Sequence, residues 1–467
     1  MSVSRFDVFI IGAGQAGPTL ATSLAGKGKR VALAERKDAG GSCVNFGCTP
    51  TKAAIASARV AHLARRAAEY GVRIPKVEVD YKAVIERARR MVVQFRTGLE
   101  SRLGRADNLS VIPAHARLEG RDANGLRLRV GDKEVSSEFV VLDTGTRSVI
   151  PPIEGLEKAS CIHAGNWLEL AELPERLVMI GGGYIGLEMA QFYRRMGSRV
   201  LVLESGAQVA GHEDEDVARA LQKLLEAEGV EFRLNSRVDK AEGRPGELRL
   251  SVGGSMLEAT HVFVATGRQP NTDDLGLETI GVKTSKHGFI EVDKRLSTNV
   301  KGVWAAGDIR GGPMFTHTAW DDYRIIESQI VGDGSRTLDR VVPYAVFTDP
   351  ELGRVGMTEQ EARKNGHQVK IGRFEMAHNG KALELGETAG FIKVVVDAAT
   401  DRLLGAAVLA SEGAELVHIY IDLMNARAPF QTIRDAVFIH PTLAEAVQSA
   451  VSSVAERSRT IEEMAHR

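Results

Sequence analysis

The chain has 467 residues, enough for two to four domains with large cores. Its 60 Lys and Arg almost balance its 61 Asp and Glu, a formal net charge of -1 that gives no electrostatic ground for binding nucleic acid or an acidic membrane surface. Three cysteines in so long a chain point to a reducing compartment and a specific use for two of them. No run is long and apolar enough for a membrane span, and Val8-Phe9-Ile10-Ile11 is too short for the core of a signal peptide, so the expected location is the cytoplasm.

Phe6 to Ile11 reads as a short buried strand. Gly12-Ala13-Gly14-Gln15-Ala16-Gly17 follows, then a helix from about Pro18 to Gly26, then a strand from Arg30 to Ala34 that ends in Glu35. Strand, G-x-G-x-x-G, helix, strand and acid make a dinucleotide fingerprint. Gly12, Gly14 and Gly17 permit a tight turn and close approach to a pyrophosphate, whose charge meets the helix N-terminus. Glu35 is placed to accept hydrogen bonds from ribose hydroxyls.

Next comes Gly40-Gly41-Ser42-Cys43-Val44-Asn45-Phe46-Gly47-Cys48-Thr49-Pro50-Thr51-Lys52. The spacing of Cys43 and Cys48 allows both sulfurs onto one side of the first turn of a helix, where a disulfide can open and close with little backbone motion. A helix N-terminus lowers a thiol's pKa and makes it a nucleophile at neutral pH. The alternatives are a structural disulfide or half of a zinc site. A zinc site needs about four ligands, and no second Cys pair completes one, so no metal site is assigned.

Residues 52 to 70 and 81 to 105 read as two helices separated by Gly71 and Pro75. They carry Arg59, Arg65, Arg66, Arg87, Arg89, Arg90, Arg96, Arg102 and Arg105. The ordinary reading is a solvated helical face. The other is a docking surface for an anionic substrate or acidic partner protein. Phe139 to Leu142 is a strand that ends at Asp143-Thr144-Gly145, ahead of Pro151-Pro152, and closes a first domain at 1–150. Cys161 stands alone and reads as a buried, inert thiol.

The nucleotide pattern then repeats. Leu177 to Ile180 is a strand, Gly181-Gly182-Gly183-Tyr184-Ile185-Gly186 a turn, a helix runs to about Met196, and Arg199 to Leu203 is a strand that ends in Glu204. Two fingerprints mean two dinucleotides. Glu204 would accept from an adenosine ribose 2′-OH and repel a 2′-phosphate, and Ser205 rather than Arg follows it, so NADH is expected over NADPH. His261 to Asn271 closes this second domain, taken as 151–268. A return segment, 269–337, contains Val303-Trp304-Ala305-Ala306-Gly307-Asp308 and a helix that begins within Phe315 to Tyr323. From about 338 to 467 the pattern changes to strands and two helices, with Phe438-Ile439-His440-Pro441-Thr442-Leu443-Ala444-Glu445 near its end.

The cysteine stretch, both fingerprints, Ala265-Thr266-Gly267, the Gly307-Asp308 segment and His440-Pro441-Thr442 together resemble the class I flavoprotein disulfide reductases, or pyridine nucleotide-disulfide oxidoreductases, over nearly the whole chain. Within them the chain is most similar to the mercuric-reductase-like group that includes the reactive-chlorine-responsive copper reductases. The resemblance implies an α/β protein with two Rossmann-like, three-layer ββα domains and a C-terminal α+β dimerisation domain. It implies FAD on Gly12, Gly14, Gly17, Glu35, Gly307 and Asp308. His317 would then lie close to the isoalloxazine, at a helix N-terminus that stabilises an anionic reduced flavin. It places NADH on Gly181, Gly183, Gly186 and Glu204, with Tyr184 as an aromatic gate and Lys52 paired with Glu188 beside the flavin. Cys48 would be the sulfur next to the flavin and Cys43 the outer thiol that meets substrate. His440 would be the acid and base for the thiols, oriented by Glu445, both supplied by the partner subunit of a homodimer.

The chain also departs from its relatives. Asp143 stands where the family has Ala. Mercuric reductases carry a vicinal Cys pair near the C-terminus, and the tail from Glu456 to Arg467 has none; they lack the His-Pro-Thr dyad that this chain keeps, and no N-terminal metal-binding domain is read here. The implied function is an NADH-dependent FAD oxidoreductase that passes electrons through the Cys43–Cys48 disulfide to a small-molecule disulfide or a thiophilic metal ion. The alternatives are a dihydrolipoamide dehydrogenase serving a lipoyl-bearing partner, and a redox-sensing or complex-forming flavoprotein whose Arg-rich helices dock a partner.

Overall fold

The structure is a computed structural model and describes residues 4–454. The C-terminal tail, on which the missing cysteine pair was read, lies outside them. Within the first sheet, Leu109–Ile112, Val31–Ala34, Ser4–Ile11, Lys133–Leu142 and Val303–Ala305 run parallel in that spatial order. Each central strand is buried on both faces, as a parallel sheet requires. Val8 and Ile10 face the helices Gly17–Gly26 and Thr316–Val331, while Phe9 and Ile11 face the antiparallel strands Ala116–Asp122 and Gly125–Val130. Lys133–Leu142 serves both partners on one edge. Its first half pairs with Gly125–Val130 and its second half with the returning Val303–Ala305.

The second sheet repeats this order. Glu231–Arg233, Arg199–Leu203, Arg176–Ile180, His261–Val264 and Ile162–His163 are all parallel. One face packs on the helices Tyr184–Met196 and Glu215–Ala227, the other on the antiparallel meander Val238–Arg244, Glu247–Val252 and Ser255–Ala259. Two three-layer ββα domains result. The chain passes out and back between them through Thr146–Ser148 and Arg268–Pro270, which pair with each other.

The C-terminal sheet is antiparallel, in the order Pro343–Val346, Glu351–Gly356, Leu403–Ala410, Phe391–Asp397, Val369–Glu375. Two helices were expected here, and the described residues hold more: Glu359–Lys364, Gly380–Glu384, Gly413–Asn425 and Gln431–Arg434, with residues 445–454 also helical. The first two are single turns fixed by their caps. Thr358 and Glu361 form a capping box, and Asn379 accepts from the Ala382 amide.

All three domains meet at a buried charged hub. The Arg195 guanidinium donates to Glu228 through two bonds of 2.7 Å and to Asp349 at 2.6 Å. Gln191 bridges Glu228 and the Asp349 backbone. Arg59, from the helix Cys48–Arg66, closes on the other Asp349 oxygen. Some guanidinium groups of the Arg-rich pair of helices are therefore tied to the rest of the molecule, although most of these arginines stay exposed. Arg65 donates to the Arg195 carbonyl at 2.7 Å, Arg66 to Glu387, and Arg89 to the Leu168 carbonyl. A docking face would need these guanidinium groups free.

A buried ion pair is costly to half-dismantle, because the surviving charge loses its partner. Arg195→Met leaves Asp349 and Glu228 without their main cation and is expected to cost about 3–5 kcal/mol of stability. Thermal unfolding checks this, and an unchanged Tm would contradict the hub's role.

Candidate active site

The two glycine turns have the same local construction. Gly12 and Gly181 both have positive φ, at 102° and 109°. A Cβ on Gly12 would run into the Asp143 carbonyl, and one on Gly181 into the Ala265 carbonyl. The third glycines, Gly17 and Gly186, have no room either, because each lies against the carbonyl of the first. The acids complete the likeness. Glu35 accepts from the Ala13 amide at 2.8 Å, and Glu204 from the Gly182 amide at 2.7 Å. Each carboxylate is thereby locked beside its turn and keeps lone pairs for ribose hydroxyls. Gly183 precedes the helix Tyr184–Met196 in extended geometry, with φ -76° and ψ -179°. These cradles, in which the first and third glycines leave no room for a side chain, match the requirements of FAD in the first domain and of a nicotinamide dinucleotide in the second.

Asp308 lies in the turn Gly307–Arg310. It accepts from Thr146 at 3.0 Å and faces Arg268 at 3.8 Å, while burial pushes its carboxyl above the usual range. His317 sits in the first turn of the helix Thr316–Val331. Its Nε2 donates to the Pro343 carbonyl at 2.7 Å, and its ring stacks on Phe315 with centroids 5.6 Å apart. Tyr184 stacks on Tyr344 at 5.4 Å and donates to Glu213 at 2.9 Å; Tyr344 donates to the same Glu213 oxygen at 2.6 Å.

The cysteines do not share one helical turn, as the spacing led us to expect. Cys43 lies in the short helix Gly41–Asn45 and Cys48 opens the helix Cys48–Arg66. Gly47 breaks the chain between them. Its amide returns to the Ser42 carbonyl at 2.6 Å, and a Cβ on it would strike that same oxygen at 2.7 Å. The break still brings the sulfurs together, as free thiols hydrogen-bonded to one another. Cys48 also shares a 3.1 Å hydrogen bond with Thr316. The pair is asymmetric. The bond from Cys43, helped by Thr316 and the Lys52 charge, lowers the Cys48 thiol to about 6. The same bond, with burial, pushes Cys43 up. These shifts favour the thiolate at Cys48 and the neutral thiol at Cys43.

Lys52 lies one helical turn after Cys48. Its ammonium meets Glu188 at 2.7 Å and sits 4.5 Å from the centre of the Phe347 ring. Glu188 is buried, and its other oxygen accepts from the Phe347 amide at 2.8 Å. One carboxylate from the second domain thus ties the first to the C-terminal domain. His440 and Glu445 also meet. The Nδ1–H donates to Glu445 at 3.1 Å, since a carboxylate can only accept, and the second Glu445 oxygen takes the Thr442 amide at 2.9 Å. The Thr442 amide and then His440 hold the Glu445 carboxyl below its usual range. The His440 ring is largely bare. Val437 is 99% and Ile439 79% exposed beside it.

Thr316, Glu213 and Tyr344 were not singled out from sequence. Thr316 acts on a cysteine 268 positions away, which no local pattern reveals. Glu213 lies in the run Glu213-Asp214-Glu215-Asp216, which reads as an ordinary helix start. Cys161 is half-buried, and burial raises its thiol, in keeping with an inert role.

A fold of two ββα dinucleotide domains and an antiparallel C-terminal domain, with a thiolate–thiol pair between the cofactor cradles, defines a flavoprotein disulfide reductase. The chain belongs to the pyridine nucleotide-disulphide oxidoreductase family, which matches residues 6–322, and the family's dimerisation domain matches 342–451. It is an oxidoreductase with FAD and a pyridine nucleotide as cofactors, and the dimerisation domain supports a homodimer. Among curated proteins it is similar to the probable pyridine nucleotide-disulfide oxidoreductase RclA of Escherichia coli K12, at 34% identity over 97% of this chain and 100% of that one. It is also similar to a dihydrolipoyl dehydrogenase of Cupriavidus necator, at 31% identity over 97% of this chain and 98% of that one. Among solved structures, the Cu(II) complex of the HOCl-induced flavoprotein disulfide reductase RclA from Escherichia coli superposes with a TM-score of 0.87 at 34% identity, covering 96% of this chain and 99% of that one. Among the described residues no helix is long and apolar enough to cross a membrane, and no cluster of three or more His, Cys, Asp or Glu could hold a metal ion.

In the NADH-reduced protein, the pH midpoint for labelling Cys48 with iodoacetamide is expected below that of a free thiol. Thr316→Val and Cys43→Ala each remove a hydrogen bond that favours the thiolate and so move that midpoint upward. Peptide mapping of the label gives the midpoints. A Cys48 midpoint at the value of a free thiol would refute the assignment.

Proposed function

We propose that this protein is an NADH-dependent reductase, working in the cytoplasm, that delivers electrons through Cys48 and Cys43 to a thiophilic metal ion or a small disulfide. The asymmetric cysteine pair carries this reading. The thiolate is favoured at Cys48, an exposed thiol bonded to Thr316, while the Cys43 thiol, pushed up by its bond to Cys48 and by burial, keeps its proton until a substrate arrives. When bound, FAD supplies the two-electron relay between nicotinamide and the cysteine pair. Glu188 holds Lys52 in place so that its charge favours the Cys48 thiolate. Tyr184 covers the approach to the second glycine turn, and Glu204 selects NADH by accepting from a 2′-hydroxyl.

The metal acceptor is favoured by the likeness to RclA, solved as a Cu(II) complex. The electron count is simple. Two electrons from one NADH reduce two Cu(II) to Cu(I), one Hg(II) to Hg(0), or one disulfide to two thiols.

A second reading, a dihydrolipoamide dehydrogenase serving a lipoyl-bearing partner protein, is favoured by the His440–Glu445 pair. A metal ion needs no general acid, whereas a departing thiolate does. Within one chain the pair makes no hydrogen bond to either cysteine among the described residues, and it stands beside bare Val437 and Ile439. That arrangement suits a homodimer in which His440 serves the cysteines of the other subunit.

Anaerobic NADH oxidation with copper(II), mercury(II), lipoamide and glutathione disulfide, each supplied alone, tests these readings. Turnover with a metal ion that Cys48→Ser abolishes is the expected result. Fast cysteine-dependent turnover with lipoamide alone would overturn the metal reading. His440→Gln is expected to lower any disulfide turnover by about 10²-fold or more and to spare metal reduction. NADPH is expected to be the poorer donor, and equal use of both would contradict the role of Glu204.

A further inference from the structure

Asp143 follows the strand Lys133–Leu142, where the family's pattern has Ala, and it is buried, at 4% exposure. Its Oδ2 accepts from the Gly17 amide at 2.7 Å, which takes up the first free N–H of the helix Gly17–Gly26. The carboxyl lies directly beneath the flavin turn. A Cβ on Gly14 would stand 2.8 Å from one of its oxygens, and one on Gly17 3.0 Å away. A Cβ on Gly307, in the second FAD segment, would stand 3.2 Å from its other oxygen. One side chain therefore lies against three glycines of the two segments assigned to FAD.

The charged groups that act on it most strongly are carboxylates. Glu35 lies at the end of the neighbouring strand, Asp308 in the Gly307 turn and Asp322 on the helix Thr316–Val331. The nearby cations are already engaged: Arg310 and Arg340 hold Asp322, and Arg268 faces Asp308. Among the described residues, the Gly17 amide donates to the Asp143 carboxyl. Burial and these acids push its carboxyl well above the usual range. A bound pyrophosphate adds further negative charge to the same pocket.

We propose that Asp143 is a flavin-positioning residue that holds FAD only while its carboxyl is neutral, so that ionisation of this one group loosens the cofactor. The inference rests on FAD occupying the first glycine turn. The sign follows from linkage. FAD brings negative charge, which favours the protonated carboxyl, so proton and FAD binding reinforce each other. Affinity is then flat at lower pH and falls as pH rises through the Asp143 transition of the FAD-free protein. One proton allows at most about a tenfold fall per pH unit.

Equilibrium dialysis of the holoenzyme tests this, with FAD release followed by fluorescence and folding by circular dichroism across the neutral and alkaline range. Asp143→Asn stays neutral and keeps an oxygen for Gly17, and Asp143→Ala carries the family residue. Wild type is expected to lose FAD affinity about tenfold more steeply over the transition than either variant. Parallel curves for wild type and both variants, or loss of FAD toward acid, would overturn the proposal. If Asp143→Asn does not fold, the comparison with Asp143→Ala decides it. Failure of wild type to bind FAD at any pH would instead sink the cofactor assignment.

Discussion

The Cys48 sulfur depends on a hydrogen bond and a charge that reach it from separate parts of the chain. Thr316 comes from the helix that returns the chain to the first domain, and Cys43 from the short helix before the Gly47 break. Lys52 is a neighbour in sequence, but its position is set from outside. Glu188 of the second domain fixes the ammonium, and the Phe347 amide of the C-terminal domain fixes Glu188. The ammonium beside the thiol is therefore held through groups from all three domains. The Arg195–Asp349–Glu228 hub supplies much of the docking of these domains, and this explains why a fold of three separable cores carries so many ion pairs at its seams.

The two dinucleotide domains reach one physical solution twice. In each, a glycine with positive φ opens the turn, a third glycine packs against the first, and an acid from the next strand is tied back to the turn by a backbone amide. The difference between them lies behind the turn. Asp143 fills that space in the first domain, whereas Ala265 stands at the equivalent point of the second. The ionisable side chain therefore stands behind the first turn and not the second.

Much of this was legible in the sequence because it is dictated locally. Glycine spacing, the strand before it and the acid after the next strand are backbone requirements, and they identified both cradles. The cysteine pair was legible from its spacing after the first fingerprint, and the His440–Glu445 pair from the family resemblance. What escaped was either non-local or ambiguous in pattern. Thr316, Tyr344 and Glu213 are joined only by folding. The Gly47 break could not be seen from the number of residues between the cysteines, because that number fits one helical turn as well as two short helices. The Arg-rich helices carried no signal to show that Arg59, Arg65 and Arg66 bond to other domains, since their partners lie far along the chain.

The central claim is that electrons from NADH leave through this one pair of sulfurs. The direct measurement is to oxidise the enzyme, add one equivalent of NADH without oxygen, quench in acid, and map newly exposed thiols by mass spectrometry. The account predicts two new thiols, at Cys43 and Cys48, with Cys161 labelled equally before and after. NADH consumed with no new thiol at Cys43 or Cys48 would contradict it.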